Sequence, residues 1–142
     1  MSAEALPAEQ PRPFVRNRTD GHVIECNGEK AVIYALTGPS VAASDDYWTV
    51  GQLISIQVGT TRVVGLVYEV NVPDAQWVAE TDQSIRVHVE LIGQVNEHDD
   101  GSLTFSSGIA NYPHMGAVAH RIRATDLATI YTTSLKNTVS VG

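Results

Sequence analysis

Histidines, one cysteine and paired carboxylates are the side chains of this sequence that could support chemistry. Zinc ligands usually recur at short fixed intervals, and the histidines here are far apart, with no pair at such an interval on a predicted helix. The five are His22, His88, His98, His114 and His120. Two of them, His88 and His120, alternate within strand-like segments and are predicted to face solvent or a partner. The histidine pattern therefore indicates no metal site.

The other reactive groups also have ordinary interpretations. Cys26 lies in a predicted hairpin strand without a nucleophile signature around it, where a cysteine usually packs as a small buried hydrophobe. The acid pairs Asp45-Asp46 and Asp99-Asp100 fall in predicted loops, where adjacent carboxylates are normally solvated. Neither a G-x-G-x-x-G nor a G-x-x-x-x-G-K-[ST] phosphate loop occurs. The sequence predicts no catalytic, cofactor-binding or metal-binding residue, and so no enzyme within this chain.

The charge balance argues against tight nucleic-acid binding. The 142 residues carry 9 Lys and Arg against 16 Asp and Glu, a formal net charge of −7. Proteins that grip DNA usually present a basic face, because neutralising phosphates supplies most of the affinity. No apolar run approaches the length of about 20 residues that spans a bilayer. We therefore expect a cytoplasmic protein, away from membranes, whose acidic surface is available to protein partners.

The elements that would position any site are mainly short strands. Residues 1–20 hold three prolines and little apolar surface, which predicts a flexible leader. Asn27-Gly28 joins two apolar runs and predicts a hairpin with a type I′ turn, which needs positive φ at its central residues. A second hairpin is predicted from the run 53–58 through Gly59 to the run 62–70, and Gly65 within it suggests a bulge or a sharp bend.

The longest predicted strand covers residues 85–95. Ile85, Val87, Val89 and Leu91 share one face, and Arg86, His88 and Glu90 share the other. Leu103-Thr104-Phe105 begins a last short strand, and Thr125 is placed to cap a short helix with Asp126 in its first turn. The predicted fold class is all-β: a small closed or partly open β-barrel of about six strands with one short C-terminal helix.

The segment from Ser107 to Gly116 is rich in special backbone residues. Gly108 and Gly116 free the backbone, and Pro113 forces an extended residue before it. Such a segment is either a structural crossover or a contact loop between subunits, and the pattern favours the crossover.

The order of these features resembles a known family. The run begins with Gly21-His22-Val23-Ile24-Glu25 and continues with 50–56, 63–68 and 89–95, then Gly108, Tyr112-Pro113 and Gly116, and finally 124–127 with Ile130-Tyr131. Together they resemble the amino-terminal barrel of HerA-type ATPases, the HAS barrel, over residues 21–132. On this resemblance, residues 133–142 look like a linker toward a RecA/FtsK-like ATPase domain that is absent from the chain.

The resemblance implies a non-catalytic part of a larger machine. It implies a homohexamer in which the barrels form a crown on a motor that is an ATP-dependent DNA helicase or translocase. ATP and magnesium would belong to that motor, and DNA would contact the protein only through it. The crown would help to assemble the ring and would dock an effector, such as a NurA-type nuclease in DNA end processing and repair, or another enzyme in phage defence.

Candidate subunit or partner contacts follow from residue type, since aromatic residues, Arg and Met are enriched at interfaces. They are Arg62, Tyr68, Tyr112, Pro113, His114 and Met115. For Tyr68 and Tyr112 the favoured interpretation is packing within the barrel. The alternative function is a free-standing oligonucleotide- or protein-binding barrel, although nine aromatics in an acidic chain make a poor base-stacking surface. A small barrel enzyme is a third class, and no residue pattern supports it.

Overall fold

The computed structural model describes residues 21–37, 48–73 and 83–141, with side chains up to Leu135. Seven strands and a helix occupy these ranges: β1 (Gly21–Cys26), β2 (Lys30–Thr37), β3 (Leu53–Val58), β4 (Thr61–Asn71), β5 (Gln83–Glu97), β6 (Leu103–Ser106), β7 (Val118–Arg121) and α1 (Ala124–Val141). The predicted leader (residues 1–20) and parts of two predicted loops (38–47 and 74–82) lie outside the described residues.

The strands form a closed antiparallel barrel. Its ring runs β1–β2–β5–β4–β3–β7 and returns to β1, and the β2–β5 pairing closes it. The remaining strand, β6, pairs with β5 outside the ring. The predicted barrel of about six strands with one C-terminal helix is confirmed. Closure leaves the ring strands without open edges.

The inward face of β5 follows the predicted alternation. Val87 and Val89 are fully buried in the barrel interior, whereas Arg86 and Glu90 on the other face are exposed. Buried side chains from the neighbouring strands complete this core, among them Ile33, Ile54, Ile56, Val63 and Val67. Burying such branched aliphatic residues is the main favourable contribution to folding.

The two predicted hairpins are present, but one turn differs from its prediction. Gly59 has a φ of 61° in the two-residue link between β3 and β4. Gly28 has no positive φ. Instead, the side-chain Oδ1 of Asn27 accepts hydrogen bonds from the backbone N–H groups of Glu29 and Lys30. The predicted type I′ turn is therefore wrong, because the asparagine side chain itself organises the backbone.

The predicted irregularity at Gly65 is confirmed as a shift in the β4–β5 register. Val64 lies opposite Gly93, and Gly65 lies opposite Leu91, so Ile92 is an extra residue on β5. A Cβ atom on Gly65 would lie 3.1 Å from the side chain of Val89. The position thus combines a bulge with a close approach of two strands.

A second, smaller core lies between the outside of the barrel and α1. Val64, Val95 and Ile130 are its buried members, and half-buried side chains from β6 pack against them. The helix begins at Ala124, so Thr125 lies inside it and the predicted Thr125 cap is wrong. The helix continues to Val141, so residues 133–141 of the predicted linker are helical. Within the described ranges, no helix has both the length and the apolar character needed to cross a bilayer.

The stretch after β6 carries the chain back to the ring. It enters β7, which contains the strand-like segment predicted around His120, and β7 pairs with β1 and β3. Backbone hydrogen bonds join Gly116 N–H to Val23 C=O and Val23 N–H to Ala117 C=O. The favoured crossover interpretation of this segment agrees with its position. His120 on β7 is 6% exposed in the single chain, so the prediction that it faces solvent or a partner is wrong.

Candidate functional site

A shallow cleft lies on the outer face of the β1–β2–β5–β4 part of the barrel. We call it the Tyr68–Met115 cleft, and its volume is about 550 Å³. It is lined by Ile24, Glu25, Cys26, Asn27, Lys30, Ala31, Val32, Tyr68, His88 and Met115. These residues come from four strands, the first hairpin turn and the β6–β7 connection.

Two strand irregularities place apolar side chains at this cleft. The β1–β2 register shifts between Val23 and Glu25, which makes Ile24 an extra residue. The β4–β5 register shifts between Val67 and Glu69, which makes Tyr68 an extra residue on β4. Ile24 is 36% exposed and Tyr68 is 41% exposed. Bulges commonly re-aim a side chain, and here they direct two large apolar groups outward on either side of β2 and β5.

The cleft also holds polar groups around the Tyr68 ring. Lys30 Nζ lies 5.1 Å from the ring centroid, within the range of a cation–π contact. The His88 ring is tilted by 56° at a centroid distance of 6.0 Å. Asn71 Nδ2 donates to Glu69 Oε2 at 2.9 Å and lies 3.3 Å from His88 Nε2. Tyr68 and His88 are thus held by neighbours on adjacent strands.

Cys26 is the one thiol of the chain and lines this cleft. It is half-buried rather than buried, and its Sγ lies 3.4 Å from the carbonyl oxygen of Asn27. Burial raises its pKa, because the thiolate is poorly solvated there. The protonated thiol is a weak nucleophile, so the raised pKa lowers the reactivity of Cys26 at neutral pH.

Five of the six predicted contact residues lie at the cleft or in the β6–β7 connection beside Met115. Tyr68 and Met115 meet at the cleft, and Met115 is 58% exposed. Tyr112 and His114 are exposed in the same connection as Met115, whereas Pro113 is buried. The expected packing of Tyr68 and Tyr112 within the barrel is wrong, since both are more than 40% exposed.

Arg62, the sixth predicted contact, is turned inward to an ion pair. Its Nε donates to Asp126 Oδ2 at 2.6 Å and its Nη2 donates to Asp126 Oδ1 at 2.9 Å. The two side chains are 4% and 0% exposed. Nη1 reaches Glu97 Oε1 at 3.2 Å. The hydrogen bonds to Asp126 raise the pKa of Arg62 further. This ion pair joins β4 to the first turn of α1.

Metal ligation has no geometric support in the residues that the structure describes. Among them, no group of three or more His, Cys, Asp or Glu side chains is placed to hold a metal ion. His120 donates from Nδ1 to the carbonyl oxygen of Arg121 at 2.9 Å. His98 lies 2.9 Å from the Thr104 hydroxyl.

Sequence reasoning missed most of the cleft. Ile24 and Val32 read as ordinary strand residues, and nothing in their local pattern indicates that a bulge turns Ile24 outward. Nothing in the sequence around Lys30 indicates a contact with Tyr68. That contact depends on β2 and β4 lying on either side of β5. The contact residues found in advance, Tyr68 and Met115, were identified by residue type alone.

No family model matches this chain, and no curated protein matches its sequence significantly. The barrel and its cleft are therefore interpreted from the residues of the chain itself.

Proposed function

We propose that this chain is the assembly and partner-docking barrel of a hexameric HerA-like DNA-translocating ATPase and catalyses no reaction itself. The docking role is supported by one observation: an exposed tyrosine and an exposed methionine line the same cleft, the Tyr68–Met115 cleft, on one face of a closed barrel. The ordered resemblance over residues 21–132 supplies the larger context.

The composition of the cleft favours a protein surface as its ligand. Tyrosine offers a large rigid contact area, and methionine adapts its shape to a partner. Ile24 and Val32 add apolar surface to the cleft. Burying such groups at the centre of an interface supplies most of the affinity in protein complexes.

The charges near the cleft are mixed and do not resemble a phosphate-binding surface. Lys30 and Glu25 both line the cleft, and Glu69 follows Tyr68 on β4. Binding of a nucleic acid requires several uncompensated cations along the backbone path. These charges and the net charge of −7 both favour a protein partner.

In the proposed assembly, the barrels contact one another head to tail and close into a ring. The motor would follow the barrel in the natural polypeptide and would bind ATP, magnesium and DNA. The crown would then hold an effector such as a NurA-type nuclease, in DNA end processing or in phage defence.

The test is the mass in solution of the natural polypeptide that carries this sequence, measured by native mass spectrometry with and without ATP. We expect a hexamer that hydrolyses ATP faster when DNA is added. Met115→Glu places a charge at the cleft and is expected to weaken the assembly or the effector complex by at least about tenfold, since a desolvated charge is costly. Tyr131→Ser is the matched control, because Tyr131 is 60% exposed on α1 and does not line the cleft.

A monomeric natural polypeptide without DNA-stimulated ATP hydrolysis contradicts the proposal. Micromolar binding of single-stranded DNA by the isolated chain at low salt would favour the oligonucleotide-binding alternative instead. If Met115→Glu and Tyr131→Ser weakened the assembly and the effector complex equally, the cleft would not be the docking site.

A further inference from the structure

The strand β6 has one edge without a strand partner in the described part of the chain. Its paired edge contacts β5 over four positions, from Glu97↔Leu103 to Gln94↔Ser106. An edge strand presents unpaired backbone N–H and C=O groups, which are a template for another strand. Closure of the barrel protects the ring strands, and β6 lies outside that ring.

A groove runs along this edge. We call it the β6 groove: its volume is about 390 Å³, and it is lined by Leu103, Thr104, Phe105, Ala128, Thr129, Thr132 and Thr133. Consecutive residues of a strand point to opposite faces. A groove lined by three consecutive residues of β6 contacts residues from both faces of the strand, as expected of a groove beside its edge.

The opposite wall leaves room for a backbone. It consists of four small residues of α1, one alanine and three threonines, on one side of the helix. The span from Ala128 to Thr133 covers about 7.5 Å at 1.5 Å per residue. The span from Leu103 to Phe105 covers about 6.6 Å at about 3.3 Å per residue. Each wall is long enough for two to three residues of extended chain, at about 3.3 Å per residue.

The sequence of β6 carries few of the features that usually block an edge. It contains no proline and no charged residue, and proline, lysine and inward charges are the common protections. The strand is short, with four residues, which limits the number of backbone bonds that a partner can make.

The charges at one end of the groove are acidic. The β5–β6 turn carries Asp99 and Asp100, both exposed, whereas Glu97 before the turn is already paired with Arg62. Hydrogen bonds from the Ser102 hydroxyl and backbone lower the pKa of Asp100, so this carboxylate stays ionised at neutral pH. His98 in the same turn contacts Thr104. A strand beside β6 would meet this negative turn next to Leu103, so a basic residue is complementary there.

We propose that the β6 groove binds an extended segment of another protein by strand addition. The segment pairs with the open edge of β6, turns short side chains toward α1, and places a Lys or Arg beside the β5–β6 turn. Backbone hydrogen bonds supply the affinity in this recognition mode, and side-chain pockets supply specificity. The groove shares no lining residue with the Tyr68–Met115 cleft, so this site goes beyond the proposed function.

The probe is a short synthetic peptide of alternating valine and threonine with an arginine pair at its carboxyl end, and a second version with the pair at its amino end. Each is titrated into the full chain labelled with ¹⁵N. We expect binding by at least one version, with the largest amide shifts in β6 and along Ala128–Thr133. A matched peptide with alternate backbone nitrogens methylated cannot form the ladder and is expected to bind at least about tenfold more weakly.

Thr132→Trp fills the groove from the exposed helix wall without touching the barrel core and is expected to weaken binding at least about tenfold. Thr125→Trp, also exposed on α1 but outside the groove, is the control. Equal binding of the methylated peptide, insensitivity to Thr132→Trp, or no binding at about 1 mM peptide would overturn the proposal. A dimer of the chain that Thr132→Trp dissociates would also overturn it, because the groove would then belong to a second copy.

Discussion

The ion pair between Arg62 and Asp126 should be the most sensitive single contact between the barrel and α1. Asp126→Ala removes two short charge-assisted hydrogen bonds and leaves the guanidinium at a site where its side chain is 4% exposed. The remaining partner is Glu97 at 3.2 Å, whose side chain is 47% exposed. Breaking a buried pair by removing one partner costs about 3–5 kcal/mol, because the other charge stays buried with most of its compensation lost.

That cost is a large part of the stability of a domain, which is typically about 5–15 kcal/mol. In urea, with a slope of about 2 kcal/mol per molar, it moves the unfolding midpoint down by about 2 M. We expect this shift in equilibrium unfolding followed by far-ultraviolet circular dichroism and tryptophan fluorescence. Hydrogen exchange should show the early turns of α1 losing protection first, because the pair attaches this end of the helix.

Two further variants separate the buried pair from the surface contact. Glu97→Gln removes the half-exposed partner and should cost no more than about 1 kcal/mol. The double variant Arg62→Met with Asp126→Leu should be more stable than either single change, since a buried pair can be replaced by apolar side chains of similar volume. The reasoning is refuted if Asp126→Ala costs less than about 1 kcal/mol, or if the effects of the two single changes simply add.

Three other outcomes follow from local geometry. Gly93→Ala places a Cβ 2.6 Å from the Phe105 ring and against a β6 carbonyl oxygen. In urea unfolding it should lower the free energy of unfolding by at least about 1–3 kcal/mol. Gly28→Ala is the control: its Cβ meets no atom within 4 Å, and it should change the free energy of unfolding by less than about 1 kcal/mol. The thiol of Cys26, whose pKa is raised by burial, should react with a disulfide reagent more slowly than free cysteine at neutral pH, with the difference disappearing in denaturant. By NMR, the carboxyl of Asp100 should titrate below its ordinary pKa, and the pKa should return toward the ordinary value in Ser102→Ala. Because the pKa is lowered in the folded state, any stabilisation from this group is present above the unfolded-state pKa. It should be lost as the pH falls through the folded-state pKa.

The sequence by itself determined the barrel and most of its strands. The alternation of Val87 and Val89 with Arg86 and Glu90 fixes which face of β5 is buried, because successive side chains of a strand point to opposite sides. Branched aliphatic runs around Gly59 define the second hairpin for the same reason. The acidic balance depends on composition and the absence of phosphate-loop motifs on residue order, so neither needs coordinates.

The tertiary structure decided the features that depend on register and on distant partners. From the sequence alone, Arg62 is interpreted as a surface arginine. In the structure α1 places Asp126 beside it, although 64 positions separate the two residues in the chain. Tyr68 reads as a core residue until a bulge turns it outward, since one extra residue reverses the face on which a side chain lies. The open edge of β6 exists because β2 pairs with the first half of β5 and closes the ring, leaving the second half to a strand outside it. Local patterns specify which residues prefer burial, but the pairing of strands far apart in sequence determines what they are buried against.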